Sequence, residues 1–597
     1  MCGIGFVFGP GANGENISAI LDAQHHRGPD ARETKIYETD QIALGFNRLS
    51  ILDLSSAGMQ PMISASGRYT MVFNGEIYNY KELKTQLQDY PYQSTSDSEV
   101  LLAAWEKWGT DCLPKFIGMF AIAIWDCVEK RLIIARDCLG IKPLYYTVHN
   151  KTLYGASEIK SLLAAGIPAD HDWEIWGDYF RYGVYNHSQR TFFSNILSLE
   201  PGHYVSISLT DIQSGRAIAP SPYWKRPSQP TYFDANLSEE ALSDLLWQEL
   251  ENSVKLHLRS DVPIGLNLSG GMDSATLCML MDTLSSPDVD LSSYTIGYGE
   301  PQYDEIIYAD LIPKTRQWKR HEVSFSAQDS IEHFHNDIYT FEEPIGGIAT
   351  QAYKKLHQYA RSQGVTVLLE GQGIDELLGG YGYYKTLLGE ANSCKTNTGA
   401  ANQKDGTPLF YQDNTKFLAP ELIDPGGPIS QSNLRDFKAP FDTAVENAMY
   451  ADLFHRRVPR VLRMNDRLSM AHSIELREPF LTHVLVDFCA KIRPEHKVTE
   501  NQAKSILKKA LDKRAPDFAK TCEQKRAVSA PQREWLRKEM KDMAWDLLGS
   551  KEFTQSGAFK VKDVHQAYDH YIKYGAENSF FIWQWMNFAA WCKVFKP

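Results

Sequence analysis

At 597 residues the chain exceeds what one hydrophobic core usually serves, so two large domains are the minimum expectation. Hydrophobic residues make up 43% and charged residues 23%, ordinary for a soluble globular protein, and the net charge of −12 argues against a nucleic-acid partner held by a general basic surface. Anionic substrates therefore need local positive sites. Met1-Cys2-Gly3-Ile4 has no basic region and no long apolar run behind it, so no secretory leader is expected. The apolar run over residues 119–125 is too short to cross a bilayer, and no membrane partner is expected. Nine cysteines lie scattered without a CxxC pair, which fits a reducing cytoplasm and offers no metal framework.

In chain order, Met1-Cys2-Gly3-Ile4-Gly5-Phe6-Val7-Phe8 reads as a strand. Removal of Met1 would expose Cys2 with a free α-amine. A thiol is strongly nucleophilic only as thiolate, and an α-amine titrating at roughly 7.7–8.0 can take its proton, so one residue supplies nucleophile and base. Downstream come Arg27-Gly28-Pro29-Asp30, Arg48-Leu49-Ser50-Ile51-Leu52-Asp53, Phe73-Asn74-Gly75-Glu76-Ile77-Tyr78-Asn79 and Ser96-Asp97-Ser98-Glu99. In this order, with Cys2, they resemble the N-terminal-nucleophile glutaminase domain of class II amidotransferases. The resemblance implies that Arg48 grips the α-carboxylate of glutamine and that Asp97 and Glu76 receive its α-ammonium. It makes Asn74 and the N–H of Gly75 the oxyanion hole. Taken alone, Asn74-Gly75 reads as a hairpin turn. Residues 116–126 and 132–136 are apolar runs flanking Cys127-Val128-Glu129-Lys130, an antiparallel hairpin. Asp137-Cys138-Leu139-Gly140-Ile141-Lys142 and Ala156-Ser157-Glu158-Ile159-Lys160 match the same family and are expected to build the sheet and its edge. Residues 1–210 are thus expected to form the glutaminase domain. Residues 211–236, with Pro, Ser and Gly and no periodicity, read as a linker.

Residues 237–597 open with helical spacing over 238–258. An apolar run over 264–268 predicts a short buried strand, Ser269, Gly270 and Gly271 a sharp turn, Asp273 and Ser274 a cap, and residues 275–284 a helix. A strand, a glycine loop and a helix N-terminus make a site for anions. No Gly-Lys-Ser/Thr follows, so this is not the Walker pattern. Ser269-Gly270-Gly271-Met272-Asp273-Ser274 instead resembles the pyrophosphate loop of enzymes that split ATP into AMP and pyrophosphate. That resemblance places the hydroxyls of Ser269 and Ser274 on pyrophosphate and Asp273 on magnesium. Residues 292–298 and 365–369 predict further strands; their alternation with helices argues a parallel sheet with ligands at its C-terminal ends. Glu370-Gly371-Gln372-Gly373-Ile374-Asp375-Glu376 then forms a second active-site loop, with Asp375 either a second magnesium ligand or a helix cap. Residues 389–432 read as a mobile surface insertion, 449–471 as helical, and 580–595 as an aromatic amphipathic helix used for packing.

A Cys2 glutaminase followed by Ser-Gly-Gly-x-Asp-Ser, then Gly-x-Asp-Glu and Asp466-Arg467-Leu468-Ser469-Met470-Ala471, resembles the glutamine-hydrolysing asparagine synthetase family. The fold implied is α/β: a layered α-β-β-α glutaminase domain joined to a parallel-sheet ATP-pyrophosphatase domain with a helical C-terminal part. The chemistry implied is adenylation of a carboxylate by ATP with Mg2+, followed by displacement of AMP by ammonia cut from glutamine at Cys2 and passed through an internal tunnel. By the same resemblance Leu268, Ile296 and Gly371 line the nucleotide pocket, beside Ser269, Gly270, Gly271 and Ser274. Glu376 counts among the catalytic residues, as does Lys525, which otherwise reads as part of a solvated basic run. The cytoplasm is the expected setting, and the oligomeric state, with a homodimer one option, is left open by the sequence. A sugar-phosphate amidotransferase shares the first domain but lacks the pyrophosphate loop, and a catalytically dead relative would be expected to lose Cys2 or Asp273. Many family members have Ser-Gly-Glu-Gly where this chain has Glu370-Gly371-Gln372-Gly373. Gln372 cannot ionise, but Glu370, two residues away on a strand-like path, faces the same side and is positioned to replace that glutamate. Thr482 likewise stands where aspartate is usual. Aspartate is the first acceptor on family prevalence; the rival is another carboxylate, such as a uronic acid of a surface polysaccharide or a natural-product precursor.

Overall fold

The computed structural model describes residues 2–310, 312, 317–388, 415–424, 427, 429, 440–521, 530–576 and 578–596. Most of the expected 389–432 insertion, and Lys525, lie outside the described residues.

The first half is two stacked antiparallel sheets. One runs, in spatial order, Leu197–Ser198, Tyr145–His149, Thr152–Ala156, Gly3–Phe8, Ile42–Arg48 and Ala31–Tyr37. The other runs Ser221–Pro222, His203–Ser208, Arg131–Arg136, Gly118–Asp126, Tyr69–Ile77 and Met62–Ile63. Alternation sends Ile4, Phe6, Phe8, Leu44 and Phe46 from one sheet against Val72, Ala121, Ala123 and Trp125 from the other. Helix Gly14–Ala23 covers the outer face of the first sheet and helix Asp97–Trp108 that of the second, which completes the α-β-β-α layers. The expected hairpin is present, with Trp125 opposite Leu132. Within the stretch read as a linker, Leu209–Gln213 is helical and Ser221–Pro222 pairs with His203–Tyr204.

The second half is built on five parallel strands in the order Lys319–Ser324, Ser292–Gly297, Ile264–Asn267, Val367–Leu369 and Glu475–Arg477. The chain begins in the middle, works outward to one edge, then returns and works toward the other. The strand order therefore reverses between Ile264–Asn267 and Val367–Leu369, the place where open α/β sheets take their ligands. The final helix, Phe580–Phe595, corrects the amphipathic expectation: residues from Ile582 to Cys592 are buried on every side. Trp583 Nε1 donates to Ile345 O at 2.7 Å and Trp591 Nε1 to Glu342 O at 3.1 Å. Phe588 and Trp591 meet Trp176 of helix Trp173–Tyr182 with ring centroids 5.0 and 5.3 Å apart. An apolar stripe wider than one helix face is what two packing partners demand.

A buried ionic seam joins the halves. Arg27, 0% exposed, donates to both carboxylate oxygens of Asp466 at 2.7 and 3.0 Å, to Glu158 at 2.9 Å and, through Nε, to the carbonyl of Cys2 at 3.1 Å. Arg467 reaches Glu342 at 2.8 Å and Ser157 O at 3.2 Å. Glu342 in turn accepts the N–H groups of Ile159 and Lys160, so a carboxylate of the second half caps a helix of the first. Burial alone would raise the Asp466 pKa, but Arg27 holds it below the ordinary carboxylate value. Asp466→Ala leaves Arg27 buried and under-compensated, so the thermal midpoint should fall by the equivalent of about 3–5 kcal/mol. Arg27→Met added to Asp466→Ala should recover part of that loss. Thermal unfolding of the single and double variants measures it, and an unchanged midpoint in Asp466→Ala would refute the assignment.

Candidate active sites

Cys2 opens strand Gly3–Phe8 at the rim of a cleft of about 330 Å3 lined by Arg48, Gln60, Gly75, Glu76 and Asp97 among others. Its backbone N donates to Asn74 Oδ1 at 3.0 Å, and its thiol points to Leu49 O at 3.9 Å. Burial pushes the thiol up, so an untouched Cys2 rests protonated. With Oδ1 committed, Asn74 Nδ2 is left buried without a partner, an orphaned donor beside the thiol. The turn reading of Asn74-Gly75 does not hold. Both residues sit within strand Tyr69–Ile77, opposite Ala121 and Phe120, because nine residues of cross-strand pairing outweigh a two-residue turn preference. Gly75 is required there: its φ is +155°, and a Cβ would come 2.0 Å from Met119 O. On the same edge, the N–H groups of Phe73 and Ile77 are taken by Gln60 Oε1 at 2.6 Å and Asp97 Oδ2 at 2.8 Å. The two-residue pleat therefore turns the Gly75 N–H into the cleft between them.

Arg48, at the end of strand Ile42–Arg48, is aimed by Ser55 O at 2.6 Å and by Asp53 O. Asp97, the first residue of helix Asp97–Trp108, is pushed up to about 6 by burial. Burial and the nearby Glu475 and Asp97 carboxylates push Glu76 well above the ordinary range, and its Oε1 lies 3.7 Å from Arg477 Nη2. Arg477 ends the edge strand of the parallel sheet, so the second half touches the Cys2 cleft directly.

The second site lies at the strand-order reversal. Strand Ile264–Asn267 runs into Leu268, whose N–H donates to Tyr294 O at 2.9 Å, and helix Met272–Leu284 follows. The cap is Gly271, not Asp273 or Ser274, which fall in the first turn. A glycine cap has no side chain to spend on the first-turn N–H groups, and the positive end of the helix dipole points at the loop. Ser269 Oγ and Ser274 Oγ stand 3.1 Å apart over the loop. Gly270, at φ +74°, admits no Cβ because Ala309 N would lie 2.7 Å away. Gly371, after the neighbouring strand, rests against the Asp273–Ser274 backbone, and Ile296 lines the adjacent strand Ser292–Gly297. Asp375 lies in helix Ile374–Leu378, capped by Gly373, and is therefore not itself the cap. Lys504 bridges Asp273, at 2.5 Å, and Asp375. Burial would discharge this lysine, but the two carboxylates raise its pKa instead. Glu376, in the same helix, turns the other way: its carboxyl accepts from Tyr381 Oη at 2.6 Å and lines a separate pocket of about 420 Å3 with Lys497. Among the described residues no group of three or more His, Cys, Asp or Glu comes together as a metal nest. Asp273 and Asp375, whose hard-oxygen donors converge on the Lys504 ammonium, are the residues that would hold a magnesium ion.

Several residues carry no motif and were not singled out in the sequence. Gln60 orders the edge of the cleft, Lys504 binds both loop aspartates, and Asn465 bridges Glu370 and Glu478. Glu370 and Gln372 do face the same side, with Gln372 Nε2 3.2 Å from Glu370 Oε1. Thr482 is occupied as the cap of helix His483–Ala490.

Comparison with known proteins bears on both sites. Residues 1–224 match the family described as "Glutamine amidotransferase domain", and residues 245–593 the family described as "Asparagine synthase". The chain is 29% identical over 603 residues to asparagine synthetase (glutamine-hydrolyzing) 1 of Bacillus subtilis, an alignment covering 95% of this chain and 92% of that protein. It is 33% identical over 520 residues to asparagine synthetase (glutamine-hydrolyzing) 2 of the same organism, covering 83% of this chain and 66% of that protein. It is 27% identical over 612 residues to amidase chry2 of Gibberella zeae, covering 90% of each. A thiol cleft in the amidotransferase half and a glycine loop at the strand-order reversal of the synthase half accompany these matches, and the chain belongs to the glutamine-hydrolysing asparagine synthetase family, a carbon–nitrogen ligase that couples a glutamine amidotransferase to an ATP-using synthase domain.

Proposed function

We propose that the enzyme hydrolyses glutamine at Cys2, adenylates a carboxylate at the Ser269–Ser274 loop, and passes ammonia along the seam between them, with aspartate as the first acceptor. The observation that carries this reading is the double attachment of Arg27, which binds the Cys2 carbonyl on one side and Asp466 on the other. In the first site Arg48 holds the glutamine carboxylate and Asp97 its ammonium, with Glu76 beside it. With Met1 removed, the Cys2 amine stays against Asn74 Oδ1 and takes the thiol proton as sulfur attacks the amide carbon. The oxyanion is received by Asn74 Nδ2 and the Gly75 N–H. In the second site the Ser269 and Ser274 hydroxyls, at the N-terminal end of helix Met272–Leu284, receive pyrophosphate. Asp273 and Asp375 would hold magnesium, which offsets phosphate charge as the bond to pyrophosphate breaks. Residues 1–210 and 237–597 are the two working units on this reading. Two specific features favour keeping a second acceptor class in view: Gln372 and Thr482 replace ionisable side chains near the acceptor end, and relatives named amidase stand beside those named asparagine synthetase.

Cys2→Ala should reduce glutamine-driven AMP formation to background. Ammonia-driven AMP formation should stay within about twofold, because substitutions at distant sites act independently. Equal loss with both nitrogen sources would refute the two-site account.

Asp273→Asn and Asp375→Asn should each lower pyrophosphate release by about 10²-fold or more, since charge stabilisation by a bound metal is worth several kcal/mol. Glutamine hydrolysis by the same folded proteins should persist. If it fell in parallel, the two aspartates would not belong to a separate ATP site.

The acceptor is identified by ATP–pyrophosphate exchange against aspartate, free uronic acids and nucleotide-linked uronic acids. Saturable exchange with aspartate and asparagine formed at a comparable rate is the expected result; exchange with another acid alone would move the function to that acid.

A further inference from the structure

We propose that Glu370 and Glu478, bridged by the Asn465 amide, take the proton released when ammonia forms the amide bond. This rests on the adenylation reading above and adds to it the group that completes the second step. Asn465, on helix Val458–Met470, directs Nδ2 to Glu370 Oε2 at 3.0 Å and to Glu478 Oε1 at 3.3 Å. Gln372 Nε2 holds the other oxygen of Glu370 at 3.2 Å. Glu478 is 2% exposed, and its Oε2 is buried with no partner at all, an acceptor left open in the protein interior. Position makes this opening useful. Glu370 directly precedes Gly371, which lies against the Asp273–Ser274 backbone of the pyrophosphate loop. Glu478 faces the other way, toward Lys142 from the first half, whose Nζ is 3.8 Å from the Asp466 that Arg27 grips. The bridged pair therefore spans from the seam leading to Cys2 to the loop where the carboxylate is activated.

The chemistry requires such a group. The nitrogen lone pair of ammonia attacks the acyl carbon, the C–N bond forms, and the C–O bond to phosphate breaks with its electron pair leaving on AMP. The nitrogen then carries one proton too many for an amide, and a carboxylate oxygen must accept it. Gln372 has no basic oxygen for this, whereas Glu370 is held beside it. The charged and titratable groups facing the pair include Lys142, Asp466, the phenol of Tyr78 from the first half and the phenol of Tyr353 from helix Ile348–Ser362. Burial raises Glu370 to about 7 and Glu478 to about 8, so near neutral pH the two together hold one proton and keep one carboxylate free.

The test uses the full chain with the acid of the panel above that supports exchange. Glu370→Gln should keep ATP–pyrophosphate exchange, with unchanged KM for the acid, and keep glutamine hydrolysis, while amide formation falls about 10²–10⁴-fold, the range for a lost general base. Wild-type amide formation should fall on the acid side of about pH 7 as the pair becomes doubly protonated. Glu478, raised to about 8, already holds its proton over that limb, so Glu478→Gln should leave the limb near pH 7. Amide formation at the wild-type rate in Glu370→Gln would overturn the proposal while leaving adenylation intact. So would a raised KM in exchange, which would make Glu370 a binding group for the acceptor. If wild-type protein exchanged pyrophosphate with no acid of the panel, the adenylation reading and this one would fall together.

Discussion

The architecture depends on charges that neither half can bury alone. Arg27 emerges from the first half with no exposure to water, and its Asp466 partner comes from a helix far along the chain. A guanidinium taken from water without a partner costs several kcal/mol, and pairing with bidentate geometry offsets that cost. The same holds for Lys142 with Asp466 at 3.8 Å and for Lys160 with Glu342 at 3.5 Å. These pairs form only when the two sheet systems dock in one register. The seam is therefore weak evidence for added stability but strong evidence for a fixed mutual placement. Arg27 adds a further constraint, because the guanidinium that meets Asp466 also holds the Cys2 carbonyl. A rotation of one half against the other would move the nucleophile.

The second site shows what a sheet can deliver once its order reverses. Strands Ile264–Asn267 and Val367–Leu369 are neighbours at the reversal, and the loops that follow them meet through glycine backbone. Gly270 and Gly371 let two loops approach where a Cβ would collide with Ala309 N or with Asp273 and Ser274 backbone atoms. Gly380 does the same for the carboxylate side, since its Cβ would overlap Asp375 Oδ1. Close approach concentrates Asp273 and Asp375 onto one cation, which Lys504 supplies.

Much of this was legible from local sequence, and the exceptions share a cause. The strand–glycine–helix unit at 264–284, the parallel strands and the 116–136 hairpin follow from short-range patterns of apolar runs and glycine placement, whereas the layered first half is implied only by the family resemblance. Asn74-Gly75 misled because turn propensity is local, whereas the pairing of Tyr69–Ile77 with Gly118–Asp126 is not. Asp273 and Ser274 looked like caps because a bare glycine in that place gives no side-chain signal. Lys504 could not be found by pattern: it follows Gln502-Ala503, sits at φ +53° ahead of helix Ser505–Arg514, and meets partners from two distant loops. Asn465 and Glu478 were hidden similarly, inside segments whose neighbours read as core. Residues that act through tertiary contact leave their trace only when the chain is folded.

Seen together, the seam and the acid pair sort charge by direction. Between Cys2 and the pyrophosphate loop the buried cations Arg27, Lys142, Arg467 and Arg477 line the contact between halves, each beside a carboxylate. An ammonium ion entering there would lose its hydration and find the acids already matched, a cost of several kcal/mol. Neutral ammonia carries no such penalty, so on the proposed reading the seam favours the nucleophilic form over the inert one. At its far end the balance changes: Glu370 has amides for partners and Glu478 an open oxygen, so on the proposed reading an acceptor for the released proton lies beside the loop where the new bond forms. A base placed earlier along the path would gain a proton before the reaction released one. Its position at the end is what separates transport of ammonia from use of it.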